Sequence, residues 1–243
     1  MFDHVTIRAA DRESSERFYD TVLPTLGIER TYSDDGLVEW DDFSLSPASD
    51  EKPPTRGLHI GFVAPSRARV DEFWRVGTMA GYRDDGLPGP RPQYREDYYG
   101  SFLLDPDGNS AEAVHHGGMC GRGRVDHLWI RVENVAASKL FYETIAPQTG
   151  FRLKLDIPER AQFVGASGSY SVVLGPSTEN LHLAFTAQEN ETAETFHRVA
   201  TEAGYQDNGA PGERPLYHSG YYGAFVLDPD GNNIEVVNHN RAD

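Results

Sequence analysis

Apolar and polar residues alternate along this chain at two spacings. Residues 2–8 show the period of a β-strand. From Asp11-Arg12-Glu13-Ser14 onward, Phe18, Tyr19, Val22, Leu23 and Leu26 fall at helical spacing, and Gly27 closes that helix. Strand-like stretches follow within 36–46, Pro53-Pro54 makes a break, and Gly57 to Ala64 predicts another strand. Ser66 predicts the cap of a second helix, with Val70, Phe73 and Trp74 on its apolar face and an end near Gly81. Phe102–Leu104 and Ala111–Val114 predict strands. Asp105-Pro106-Asp107-Gly108-Asn109 joins them as a turn, because proline fixes φ and glycine or asparagine accepts φ > 0.

The pattern then starts again. A shift of 123 residues, the distance from His4 to His127, superimposes Asp3-His4 on Asp126-His127, Phe18-Tyr19 on Phe141-Tyr142, and Leu58-His59 on Leu181-His182. The longest match brings Tyr98-Tyr99-Gly100, Phe102 and Leu104 through Asn109, then Glu112, onto Tyr221-Tyr222-Gly223, Phe225 and Leu227 through Asn232, then Glu235. A period this long indicates duplication of a whole domain rather than a solenoid. The expected organisation is a first domain over 1–116, a glycine-rich linker over 117–124 and a second domain over 125–243. Each domain holds two smaller strand–helix–strands units.

Composition narrows the function classes. The 243 residues suffice for two domains of modest core, and 38% hydrophobic content suits a globular protein. No apolar run reaches the roughly 18 residues a membrane helix needs. The first residues lack the basic and apolar regions of a secretory signal, and Cys120 is the single cysteine, so the expected location is the cytoplasm. A formal net charge of −16 disfavours nucleic acid as a partner and is read as a solubility feature, with a cationic ligand as the alternative.

Two histidines and a glutamate recur in each half: His4, His59 and Glu112, then His127, His182 and Glu235. In both halves 55 residues separate the histidines, and 53 separate the second histidine from the glutamate. All six lie in predicted strands, which pair side by side and can bring distant residues to one point. Two imidazoles and a carboxylate on one face of a divalent cation leave coordination positions open to substrate. A buried carboxylate between Ala111 and Ala113 is costly unless it is paired or bound to metal. The halves differ at many other positions, including 30–56 against 153–179, so retention of all six favours function over inheritance.

Paired strand–helix–strands units, a histidine in the first strand of each unit, and a closing Asp-Pro-Asp-Gly-Asn-x-x-Glu strand resemble the vicinal oxygen chelate superfamily. It includes glyoxalase I, extradiol dioxygenases, fosfomycin-resistance transferases, methylmalonyl-CoA epimerase and bleomycin-binding proteins. The resemblance covers nearly the whole chain. It implies an α+β fold of four βαβββ modules forming half-open barrels, and a divalent metal (Fe, Mn, Zn, Ni or Co) at each site. Two pairings of modules stay open: His4/His59/Glu112 with His127/His182/Glu235, or His4/His182/Glu235 with His127/His59/Glu112.

Glyoxalase-like and epimerase-like members commonly add a fourth ligand, a glutamate at the end of the first unit. Glu39, Asp41 and Asp42 occupy that region in the first half, with no acid at 162–165 in the second, so three ligands are expected. Candidate acid–base residues are Tyr94, Tyr98 and His116, matched by Tyr217, Tyr221 and His239. The expected function is metal-dependent chemistry on a small oxygen-chelating substrate, dioxygenase-like or glyoxalase-like (a lyase or isomerase). The alternatives are an antibiotic-binding protein without catalysis, and a duplicated scaffold with one active copy, kept open by Arg95 against His218 and His115 against Asn238. The chain is expected as a monomer or homodimer.

Overall fold

The computed structural model describes residues 2–117, 123–166 and 168–240. Cys120 and most of the glycine-rich stretch 117–124 lie outside them. Four units follow one another. The first holds β1 (Phe2–Ala9), α1 (Arg12–Val22), β2 (Tyr32–Ser33), β3 (Val38–Trp40) and β4 (Phe43–Pro47). The second holds β5 (His59–Val63), α2 (Arg67–Met79), β6 (Arg83–Pro90), β7 (Tyr99–Leu104) and β8 (Ser110–His115). The third holds β9 (Val125–Val132), α3 (Val135–Thr149), β10 (Arg152–Ile157), β11 (Arg160–Gly165) and β12 (Gly168–Leu174). The fourth holds β13 (His182–Thr186), α4 (Asn190–Glu202), β14 (Asp207–Glu213), β15 (Tyr222–Leu227) and β16 (Asn233–Asn238).

The strands form two open eight-stranded sheets, not closed barrels. One runs β14-β15-β16-β13-β1-β4-β3-β2 and joins units four and one; the other runs β10-β11-β12-β9-β5-β8-β7-β6 and joins units three and two. The central pairs, β1 with β13 and β5 with β9, are antiparallel, and each unit closes through a parallel pair such as β5 with β8. The units therefore pair across the two halves of the chain.

Side-chain period builds both faces of each sheet. Along β1, Val5, Ile7 and Ala9 are buried in the core while His4, Thr6 and Arg8 take the other face. The core is continuous between the sheets: Phe43 in one and Phe62 in the other meet edge to face with centroids 5.2 Å apart, and Tyr19 of α1 lies 4.7 Å from Phe43. Helix α1 is capped by Asp11, which accepts from the Ser14 amide. It tightens into a 3-10 turn at Leu23–Leu26 with Pro24 in its first turn, and Gly27 ends it at φ 76°.

The Asp-Pro-Asp-Gly-Asn strings are architectural. Asp105 Oδ1 accepts from the amides of Asp107 and Asn109, and Asn109 Oδ1 accepts from the Leu58 amide. Tyr19 then donates its hydroxyl to Asp105 Oδ2, as Tyr142 does to Asp228. These bonds lock the turn before the glutamate strand and tie a helix of one unit to the next.

Strands β6 and β14 have no counterpart in the apolar pattern. Their sequences, Arg83-Asp84-Asp85-Gly86-Leu87-Pro88-Gly89-Pro90 and Asp207 to Glu213, are polar and rich in glycine and proline. Both are sheet edges with register shifts, positions that tolerate proline.

Candidate metal centres

Cross-strand register lines up the glutamates with the first-strand histidines. In one sheet His127 pairs with Gly61, Gly61 with Glu112, and Glu112 with Phe102. In the other, His4 pairs with Ala184, Ala184 with Glu235, and Glu235 with Phe225. Residues opposite one another share a face, so histidine and glutamate lean together over a small residue. His59 and His182 join from two residues earlier on the intervening strand. The clusters are thus His59/Glu112/His127 and His4/His182/Glu235, with the donor atoms of each within 4.8 Å of one another. This is the pairing across halves; His4 does not meet His59, nor His127 His182.

The first cluster is fully buried. His59 Nε2 lies 2.9 Å from Glu112 Oε2 and 3.2 Å from His127 Nε2, and His127 Nε2 lies 3.2 Å from Glu112 Oε2. In the second, His182 Nε2 lies 3.1 Å from Glu235 Oε2 and 3.0 Å from His4 Nε2, while His4 Nε2 is 3.7 Å from the carboxylate. Three Nε2 and Oε2 atoms thus face one point in each site, and two nitrogen and one oxygen donors suit a divalent first-row cation.

Further partners hold the rings. Asp126 accepts from His127 Nδ1 at 2.9 Å, and Asp3 from His4 Nδ1 at 2.9 Å. Ser110 donates to Asp85 at 2.7 Å, so its oxygen is free to accept from His59 Nδ1 at 3.1 Å. These bonds place the proton on Nδ1 and leave the Nε2 lone pair for a cation. At His182 the partner differs: Asn233 Nδ2 donates to Nδ1 at 2.6 Å, while Asn233 Oδ1 accepts from Asn208. Tyr98 donates to Glu112 Oε1 at 2.7 Å and Tyr221 to Glu235 Oε1 at 2.6 Å, which leaves Oε2 to the cluster.

The electrostatics follow from this packing. Burial disfavours the Glu112 carboxylate, but its hydrogen bonds to His127 and His59 outweigh that and bring it down to about 2. Burial likewise opposes a charge on His127, yet the bonds to Asp126 and Glu112 hold it up at about 10. His59 and His182 are lowered, chiefly by burial. His4 is raised, with burial overcome by Asp3 and by the charge of Glu235. Burial and the adjacent carboxylates push the Tyr98 and Tyr221 hydroxyls far up, so both stay protonated.

The other sequence candidates fall around these clusters. His116 is mostly buried; it meets Asp126 at 3.1 Å and stacks on Tyr98 with centroids 5.7 Å apart. His239 meets Asp3 at 3.0 Å, and its Nδ1 lies 2.8 Å from His218 Nε2. Arg95, at the position of His218, pairs with Asp97 instead. Tyr94 and Tyr217 are largely exposed, each against the site tyrosine four residues on.

Register also settles the fourth-ligand region. Glu235 pairs with the residue two past His182; the residues that pair two past His4 and His127 are Ser44 and Ser171. Asp42 accepts from the Arg124 and Val125 amides and Asp41 pairs with Arg124, so both anchor the start of β9. The charge of Glu39 reaches His4, but its carboxylate is outside the donor cluster.

Sequence reading passed over Asp3, Asp126, Ser110 and Gly61. The repeated Asp-His pairs carried a signal for the first two. Gly61 carried none: a Cβ there would run into the His127 ring. Beside His59, Glu112 and His127 opens a cavity of about 610 Å³, the size of small-molecule pockets. Trp129 and Tyr94 are on its wall.

The family profile described as Glyoxalase/Bleomycin resistance protein/Dioxygenase superfamily matches residues 1–113 and again 124–236. Glyoxalase I from Zea mays has a similar structure, with TM-score 0.67 at 16% identity over 98% of this chain and 92% of that one. A proposed dioxygenase from Bacillus subtilis subsp. subtilis gives TM-score 0.68 at 13% identity over 99% and 86%. Among curated proteins none matches. Among the described residues no helix is long and apolar enough to cross a membrane.

Proposed function

The chain belongs to the Glyoxalase/Bleomycin resistance protein/Dioxygenase superfamily, and we propose that it is a metal-dependent enzyme whose small substrate binds through two neighbouring oxygen atoms. The observation that carries this reading is the convergence of two histidines and one glutamate in each sheet, with donors within 4.8 Å. His59, Glu112 and His127 hold one cation and His4, His182 and Glu235 the other. A cation so held supplies Lewis acidity, favouring the ionised form of a coordinated hydroxyl.

The chain's own residues do the rest. Asp126 and Ser110 fix the rings of His127 and His59. Tyr98 and Tyr221 hold the glutamates in place and, staying protonated, act as positioning residues. His116 lines the cavity and is backed by Asp126. This position supports a role for His116 in taking a proton from the substrate's second hydroxyl and returning it, with His239 as its counterpart.

Between reactions, Ser44 and Ser171 in place of a fourth carboxylate support the dioxygenase-like reading, because three ligands leave more positions for substrate. The full-length likeness to glyoxalase I supports a lyase or isomerase as the second reading. Antibiotic binding without catalysis is the remaining alternative, and two complete ligand sets weigh against it.

Protein loaded with Fe(II), Mn(II), Zn(II), Ni(II) or Co(II) is expected to retain metal through desalting. Oxygen uptake with catechols is expected in the Fe(II) or Mn(II) form; isomerisation of a hemithioacetal instead would favour the second reading. Failure to hold any of these metals, with no change on Glu112→Ala and Glu235→Ala together, would refute the enzyme reading.

A further inference from the structure

The two sites have diverged in charge. Four cations line the cavity beside His59, Glu112 and His127 without a carboxylate partner among the described residues: Arg91, Arg131, Lys154 and Arg160. Arg131 donates to the Gly57 carbonyl. Arg160 lies over the Trp129 ring, 5.6 Å from its centroid, and its Nε is buried with no hydrogen-bond partner. Uncompensated cations are unexpected in a chain of net charge −16, and an unpaired buried guanidinium donor is costly.

The 123-residue shift gives the counterparts at the other site. Trp129 becomes Thr6, Lys154 becomes Thr31, Arg160 becomes Leu37, and Gln162 becomes Glu39. Register confirms the match, because Gln162 pairs with Ser171 as Glu39 pairs with Ser44. One site thus offers two extra cations and an amide where the other offers neutral side chains and a carboxylate.

Trp129 touches both the cluster and Arg160. Its ring lies 5.6 Å from the His59 ring and 5.6 Å from the Arg160 guanidinium, and Tyr94 meets it edge on at 5.6 Å. A planar molecule held beside His59 would share one cavity with the indole, Arg160 and Lys154. A guanidinium with free donors favours a carboxylate, which it can take in a two-pronged bond.

We propose that the His59/Glu112/His127 site accepts a planar vicinal-oxygen substrate bearing a carboxylate held by Arg160 and Lys154, and that the His4/His182/Glu235 site disfavours the same anion. This rests on the chelation reading above, and the test separates the two. Calorimetric titration of the Zn(II)-loaded protein compares 3,4-dihydroxybenzoate with catechol. The carboxylate is expected to tighten binding about tenfold or more at one site per chain. In Arg160→Gln/Lys154→Gln the ratio of the two dissociation constants is expected to fall to within about threefold, and Arg160→Lys is expected to restore part of it. Equal binding of both probes, or a ratio unchanged in the double variant, overturns the inference. Benzoate against benzyl alcohol in the metal-free protein reads the anion pocket without chelation. A benzoate preference abolished by the double variant supports the inference even where neither catechol shows metal-dependent binding, the outcome that sinks the chelation reading alone.

Discussion

Tyr98 donates its hydroxyl to Glu112 Oε1 at 2.7 Å, which turns Oε2 toward the Nε2 atoms of His59 and His127. Each glutamate oxygen thus has one task. Tyr98→Phe frees Oε1 to rotate and removes a hydrogen bond to a buried charge. Outer-shell losses of this kind cost about 10–100-fold in metal affinity. Competition titration with a chromophoric chelator is expected to show that loss at one of two sites, with the Tyr221→Phe loss at the other. Unchanged affinity for both sites in Tyr98→Phe would remove the positioning role.

Because the clusters cross the halves, paired substitutions distinguish the ligand sets. His4→Ala with Glu235→Ala strikes one site and is expected to leave one metal per chain. His4→Ala with Glu112→Ala strikes both and is expected to leave none. Metal analysis after desalting reads the difference. The reverse order of losses would assign the ligands within halves instead.

In the metal-free protein His127 is held at about 10, above its ordinary 6.5, and Glu112 at about 2, below its ordinary 4.5. The raised histidine favours the fold fully below 6.5 and ceases to do so as pH climbs through about 10. The lowered glutamate favours it above 4.5 and ceases to do so as pH falls through about 2. Both contributions are complete between 4.5 and 6.5, while the lowered His59 and His182 favour the fold only above 6.5, so denaturant midpoints of the metal-free protein are expected to peak near 6.5 and to fall on either side. Metal binding must expel the His127 proton, so affinity at this site is expected to rise with pH. Calorimetry in buffers of differing ionisation enthalpy should find proton release near neutral pH; none would contradict the His127–Glu112 ion pair.

Gly61 sits between His127 and Glu112 in the register, and a Cβ there would strike the imidazole. Gly61→Ala is expected to displace His127 and weaken metal at that site by about tenfold or more. Its counterpart Ala184 already carries a Cβ, so Ala184→Gly is expected to leave affinity within about threefold. A Gly61→Ala protein with both affinities intact would show that the ring moves aside freely.

Much of this arrangement was legible in the residues. The 123-residue period marked the two Asp-His pairs, His59 with His182, and Glu112 with Glu235, all of which reach the clusters. Helix caps at Asp11 and Ser66 were readable because a side-chain oxygen followed by an apolar period is a local signal. The pairing of units was not, since either arrangement presents the same ligand types to each cation. Edge strands β6 and β14 escaped because they bury little and so carry no alternation. Arg160 and Lys154 escaped because a cation's worth depends on whether a carboxylate lies nearby, and spacing along the chain does not encode that.

The crossed pairing has a consequence for the order in which the protein is made. The sheet holding His59, Glu112 and His127 is drawn from one continuous run, His59 through Leu174. The other is assembled from the two ends, Phe2–Pro47 and His182–Asn238. On the ribosome the first unit emerges before the other three and receives its partner, the fourth, after the second and third, leaving the edge of β1 open while the inner sheet is completed. The chain is nested rather than tandem: one sheet can close during synthesis, and the other waits for the final strand.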